Sequence, residues 1–247
     1  MKILFAGPSL YGHIRDGRVD GDATIACLPP AQQGDLARAV LQGASIIGLI
    51  DGRYEDVAAV WHKEILFAIA EGATVLGSAS MGAMRAAECE EFGMIGLGQV
   101  FELYRSGVVT DDGAVAQSHG PPELDNMPLT EALVNVEATL KHLGKTNTLA
   151  HEEIARLGAS ARQLFFKERT YASVVAAAGF ADQEGERILA VLEARKLDIK
   201  QQDALLLVKH MRRLAPVRRP SAANAWAPAQ TRVWRTMMQG LDRSLRA

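Results

Sequence analysis

Ser80 stands in the run Gly77-Ser78-Ala79-Ser80-Met81-Gly82-Ala83. The run follows a strand-sized apolar stretch and opens a helical pattern. A serine at such a junction places its hydroxyl at the sheet edge. The helix N-terminus beside it offers free N–H groups and the positive end of a dipole. That geometry suits a nucleophile whose oxyanion is held by the next backbone N–H, here that of Met81. The strict elbow reads Gly-x-Ser-x-Gly, and Ser78 stands where its first glycine would be. The competing reading is a plain helix N-cap, and the two stand even. A nucleophilic serine needs a base within hydrogen-bond reach. His119, in Gln117-Ser118-His119-Gly120-Pro121, is the favoured base. His62 is the other, and its plainer reading is an exposed helix residue beside Lys63 and Glu64.

Other chemistry finds less footing. His151-Glu152-Glu153 starts like a zinc-protease helix, but Ala155 occupies the place of the second ligand. Cys27 and Cys89 have no paired spacing, so no metal site is expected. Gly7 to Gly12 gives Gly-x-x-x-x-Gly without a following Lys-Ser/Thr. Gly93-Met94-Ile95-Gly96-Leu97-Gly98 reverses the dinucleotide spacing and follows a helical pattern. Both glycine sets read as turns, and no cofactor is expected. Cys27 near a strand end reads as a thiolate nucleophile or, more commonly, as a small buried apolar residue. Arg85 and Glu88 lie one turn apart, as a surface ion pair or as charges facing the sheet edge. Lys63 and Glu64 carry the same ambiguity. Ala79 to Ala83 resembles the nucleophile segment of Clp-type serine proteases over five residues, and there too the histidine follows the serine.

The elements that must position these residues alternate in period. Lys2–Ala6, Ala23–Leu28, Ser45–Ile50 and Thr74–Leu76 are short apolar runs, each stopped by turn residues. They read as central strands of a parallel sheet, apolar on both faces. Helical patterns at 35–41, 57–70 and 81–91 lie between them. The expected fold is therefore α/β: an open, mostly parallel sheet with flanking helices. Ligands in such sheets sit beyond the carboxyl ends of the strands. Those ends are Gly7-Pro8-Ser9, Pro29-Pro30, Asp51-Gly52 and Ser78-Ala79-Ser80. Pro128 is expected to open a further helix through Leu143. Everything beyond reads as helical, at about 151–178, 182–196, 198–214 and 228–245, with Asp182 and Asp198 as N-caps. The expected division is an α/β core over 1–145 and an all-helical C-terminal region with a basic tail over 146–247.

The 247 residues are 48% apolar and 23% charged, an ordinary globular composition with room for a large core. Two cysteines build no disulfide framework, so a reducing, cytoplasmic setting is expected. No run reaches the roughly 20 apolar residues of a membrane span, and Gly7-Pro8 breaks the N-terminal run too early for a signal peptide. Residues 204–247 hold nine Lys/Arg and one acid, Asp242. Such a tail attracts nucleic acid, membrane or acidic protein. The tail has few aromatics and no nucleic-acid motif, so the preferred reading is a solvated helix pair docked on its own acidic core. Neither nucleic acid nor membrane is expected as a partner.

Several segments together resemble the TfuA-like core domain, over about residues 3–140. They are Phe5–Leu10, Pro29–Asp35, Ile50–Gly52, Val60–Leu66 and Ala79–Glu88, followed by Phe92–Gly96, Val100–Arg105 and His119–Pro121. The resemblance implies a partner and a chemistry. TfuA-like proteins act beside YcaO enzymes, which activate peptide backbones with ATP for thioamidation. The TfuA-like partner is expected to release sulfide from a thiocarboxylated, ubiquitin-like carrier of the ThiS type, and to help engage the peptide or protein substrate. The motif positions carried over are Trp61, His62, Lys63, Glu64, Ser80, Arg85, Glu88 and His119. In this reading Ser80 attacks and His119 or His62 takes its proton. Lys63 and Arg85 neutralise the thiocarboxylate, and the Met81 and Gly52 N–H groups hold the oxyanion. Asp51, Trp61 and Glu88 contact substrate. In a variant of this chemistry a histidine activates water directly and Ser80 only binds. Two rivals stand beside it: a non-catalytic adaptor for the YcaO enzyme and its peptide, and a small-molecule enzyme using Asp51, His62 and Ser80.

Overall fold

A computed structural model describes residues 1–55, 57–180, 182–220 and 229–246. Five strands form one parallel sheet: β1 (Lys2–Phe5), β4 (Ile25–Leu28), β5 (Ile46–Leu49), β6 (Thr74–Ser78) and β7 (Ile95–Leu97). A small antiparallel hairpin, β2 (Ile14–Arg15) and β3 (Arg18–Val19), falls between the first two. The spatial order is β4-β1-β5-β6-β7. The chain steps from β1 to one edge, returns past it, and then runs to the other edge. The reversal lies between β1 and β5, so the crevice beyond their carboxyl ends is where a ligand fits.

Period-two alternation sorts the apolar side chains to two faces. Ile3, Phe5, Ile47, Leu49 and Val75 point to one face. There they pack on α1 (Asp35–Leu41), α2 (His62–Ala70) and α3 (Met81–Cys89). Leu4, Ile46 and Leu76 point to the other face, beneath Ala204, Leu207, Val208 and Met211 of α9 (Ile199–Arg213). A helix from the C-terminal region thus completes the sandwich. α4 (Gln99–Arg105) closes the β7 edge, and its Val100 N–H donates to Asp203 of α9 (2.7 Å). α5 (Leu133–Lys145), α6 (His151–Gln163), α7 (Tyr171–Ala177) and α8 (Asp182–Arg195) share a second core around Leu140, Leu157, Tyr171 and Ile188. That core begins at Val136, ahead of the division expected at 145. α10 (Arg232–Arg246) folds back on the first layer: Trp234 is 2% exposed and meets the Phe67 ring edge-on at 5.5 Å. Asp198 caps α9 as expected, accepting from Gln201 N.

Several expectations need correction. The helix expected from Val57 starts at His62, because the Trp61 N–H is taken by the Glu64 carboxylate (3.2 Å) and Trp61 is the N-cap. Pro128 does not open a helix; it pairs in an isolated bridge with His119, and α5 begins at Leu133. The 93–98 glycine run, read as turns, contains β7. β4 is an edge strand buried on one face and exposed on the other, not a central strand. The 151–178 helix is two helices, with buried Arg169 bonded to the carbonyls of Ala161 and Leu164 at the break. α10 starts at Arg232; Pro228, its expected first residue, lies outside the described residues.

Candidate functional site

The junction at Ser80 is tighter than a plain strand-to-helix turn. The Ser80 N–H donates to Ser78 O (2.8 Å), closing a three-residue turn around Ala79. Ala79 has φ +67° without being glycine, the conformation of the rare, strained γ-turn. Two contacts hold it. The Ser78 hydroxyl shares its one proton between Leu97 O (2.7 Å) and Asp203 O (2.9 Å), which explains a serine in place of the elbow glycine. Gly82 N donates to Ile50 O (3.0 Å), and a Cβ on Gly82 would fall 1.8 Å from Leu49 O. Only a glycine lets α3 start this close to β5. Ser80 is therefore set at the sheet edge, 8% exposed, in the N-cap position. Its side chain accepts no helix N–H, unlike a capping serine. Among the described residues, the N–H groups of Met81 and Gly52 have no acceptor either.

Ser80 opens into a cavity of about 480 Å³ beyond the strand ends. Its wall includes Pro8 after β1, Gly52 after β5, Ser80 and Met81 after β6, and His119 from the long segment between α4 and α5. His119 is exposed at the rim. Its Nδ1 lies 2.8 Å from Gly120 O, a contact that needs a proton on Nδ1 and leaves Nε2 as the acceptor in the neutral ring. Asp51 also reaches the wall, but its carboxylate is engaged. Oδ2 accepts from Gly7 N (2.9 Å) and Ser9 N (3.1 Å), and Oδ1 from the Ser9 hydroxyl (2.7 Å). It clamps the loop after β1, across the switch point.

The remaining expected site residues form a separate group outside the cavity wall. His62 Nε2 lies 2.8 Å from Glu88 Oε2, and Arg85 Nη1 lies 2.6 Å from the same oxygen. Arg85 Nε donates to Val60 O (3.2 Å). Burial works to raise the Glu88 pKa, but the hydrogen bonds from His62 and Arg85 and the Arg85 charge hold it below the usual range. Lys63 donates to Thr231 Oγ1 (3.1 Å), and Trp61 packs beside Trp234. Glu64 is fully buried. Besides the Trp61 N–H, it accepts from Gly34 N (2.9 Å) and Ala37 N (3.4 Å), so it ties α2 to the start of α1. Burial raises its pKa against those bonds. Cys27 is buried and its thiol is pushed up to about 12 by that burial and by the Asp51 charge, which removes the thiolate reading.

Residues 51–170 match the family model described as TfuA-like protein. Over this segment the chain is similar to the TfuA-like family. The match supports an accessory role in thioamidation, the activity associated with YcaO-type partners. No curated protein matches the chain closely enough to be named beside it. The TfuA-like segment carries Gly52, Ser80, Met81 and His119, so it supplies most of the reactive wall. It also carries the His62–Arg85–Glu88 group, which the fold sends elsewhere. One wall residue lies beyond it and escaped sequence reasoning. Lys200, in the first turn of α9, is 1% exposed and donates from Nζ to Val115 O (2.7 Å) and Gln117 Oε1 (2.5 Å). Its burial lowers the ammonium pKa, against the charge of Asp51. In sequence it reads as one more lysine on a solvated helix face. Among the described residues no helix is long and apolar enough to cross a membrane.

Proposed function

We propose that this pocket hydrolyses the thiocarboxylated terminus of a ubiquitin-like sulfur carrier, delivering sulfide to a YcaO-type enzyme during peptide thioamidation. The observation that carries the reading is Ser80: a hydroxyl held at a strained turn, free of any capping bond, in a cavity it shares with His119. Ser80 Oγ attacks the thiocarboxylate carbon while Nε2 of His119 takes its proton. The N–H groups of Met81 and Gly52 receive the developing oxyanion. The C–S bond then breaks, and sulfur leaves with the proton as hydrosulfide. The carrier remains esterified to Ser80, and water, activated by the same imidazole, releases its carboxylate and a proton. Lys63 and Arg85, expected to neutralise the substrate, have no part in this scheme, because they lie outside the cavity wall. The test is sulfide release from thiocarboxylated carrier by wild type and Ser80→Ala. The expected outcome is a loss of 1,000-fold or more, on the order of what a nucleophile contributes, with the fold unchanged. Full release by Ser80→Ala would remove the serine mechanism.

A further inference from the structure

Lys200 places a charge inside the cavity for which the reaction scheme above has no use. Lysine is almost never fully buried unless it is paired. Here the two hydrogen-bond partners of Nζ, Val115 O and Gln117 Oε1, are both neutral. The charges of Asp51, Asp198 and Glu131 favour the ammonium without touching it, and the Asp51 oxygens accept from Gly7 and Ser9. An ammonium has three N–H groups, and two are accounted for. The other cations of the wall, Arg53 and Lys167, are exposed at the mouth, and Lys167 is paired with Glu55 (2.7 Å). The buried part of the wall therefore holds an ammonium with no carboxylate in contact among the described residues. Such a group is stabilised by an anion that brings its own oxygen or sulfur acceptors.

We propose that Lys200 is the group that selects an anionic chain terminus in this cavity, a polypeptide ending in a thiocarboxylate or carboxylate. The proposal rests on the carrier reading above and deepens it. A terminus that is neutral brings no counter-charge into contact with the ammonium, so it binds less well even when the rest of the polypeptide fits. The same side chain steadies the 115–117 segment two residues before His119.

The test is calorimetric binding of the full chain to a ThiS-type carrier with a free carboxylate terminus, and to the same carrier ending in a carboxamide. Wild type should prefer the carboxylate by about tenfold or more, the scale of a charge-assisted hydrogen bond in a buried site. Lys200→Gln keeps a donor and removes the charge; Lys200→Met removes both. Either variant should bring the ratio close to one, whatever loss of affinity common to both forms follows from loosening the 115–117 segment. A wild-type ratio near one, or no binding of either form, overturns the proposal. So does a ratio retained in both variants, because a side chain that only supports the loop would weaken both forms equally. Loss of the ratio in a variant that still binds the carboxamide form supports it without requiring turnover. If the ratio is absent while Ser80-dependent sulfide release persists, the inference about Lys200 falls and the hydrolase reading stands.

Discussion

The cavity at the strand ends and the charged group on α2 and α3 draw on the same short list of residue types. Both hold a histidine and a cation, but the surface group comes from residues 62–88 alone, while the cavity gathers Ser80, His119 and Lys200 from distant parts of the chain. Their surroundings separate them. In the cavity, Ser80 has no capping bond, His119 keeps Nε2 free and the Lys200 ammonium meets only neutral partners. On α2 and α3, His62, Arg85 and Glu88 satisfy one another, with the His62 and Glu88 side chains 51% and 40% exposed. Chemistry needs groups whose bonding capacity is kept for a ligand; the second group has used its own. Nearness to a strand end accounts for Ser80 and Gly52 in the wall, while His119 and Lys200 reach it from a long connection and from a helix of the C-terminal region. Ser80 and Gly52 follow strands almost directly. His62 and Arg85 sit on helices that run away from that edge.

The comparison can be broken most severely at Gly82. Gly82→Val drives a side chain into the Leu49 carbonyl. Overpacking against backbone costs roughly 1–3 kcal/mol or more, and urea denaturation followed by circular dichroism should show a large loss of stability, or no folded protein at all. A variant of near wild-type stability would mean that the β5–α3 approach is looser than described. His119→Ala should lower sulfide release by about 100- to 10,000-fold, the range for a positioned general base, with carrier affinity nearly unchanged. An unchanged rate would leave the base elsewhere in the wall. The smallest effect belongs to the surface group. Glu88→Gln should cost well under ~1 kcal/mol at neutral pH, since half-exposed pairs are screened. The sign follows from its lowered pKa. The folded carboxylate is favoured above the unfolded value, so the contribution is present at pH 7 and fades as pH falls below about 4. Urea midpoints of wild type and Glu88→Gln should therefore converge in acid.

Much of the frame was legible because turn residues punctuate it. The strands β1 and β5 stop just before Gly7-Pro8 and Asp51-Gly52, and α1 matches its expected span, while β6 runs through the Gly77-Ser78 expected to stop it. β7 was hidden by glycine. Its Gly96 leaves room for the Phe101 ring, which would lie 2.1 Å from any Cβ there. That packing requirement is invisible until α4 is placed. The helix start at His62 depended on which carboxylate would reach back to the Trp61 N–H, a choice that spacing alone leaves open. At the site, Ser80 and His119 could be named from their types and neighbours. Lys200 could not, because helical periodicity does not reveal that α9 would return from the far end of the chain to cover the sheet. Glu64 misled for the opposite reason. Its position beside His62 and Lys63 suggested catalysis, while the fold uses it to hold two helix starts together.

One experiment sets the cavity directly against the surface group: sulfide release from thiocarboxylated carrier by Ser80→Ala and by His62→Ala, measured side by side under single-turnover conditions. The account predicts that the first variant is silent and the second keeps nearly wild-type release. Normal release without the hydroxyl, or collapse on losing the α2 imidazole, would place the reactive centre on the wrong side of this molecule.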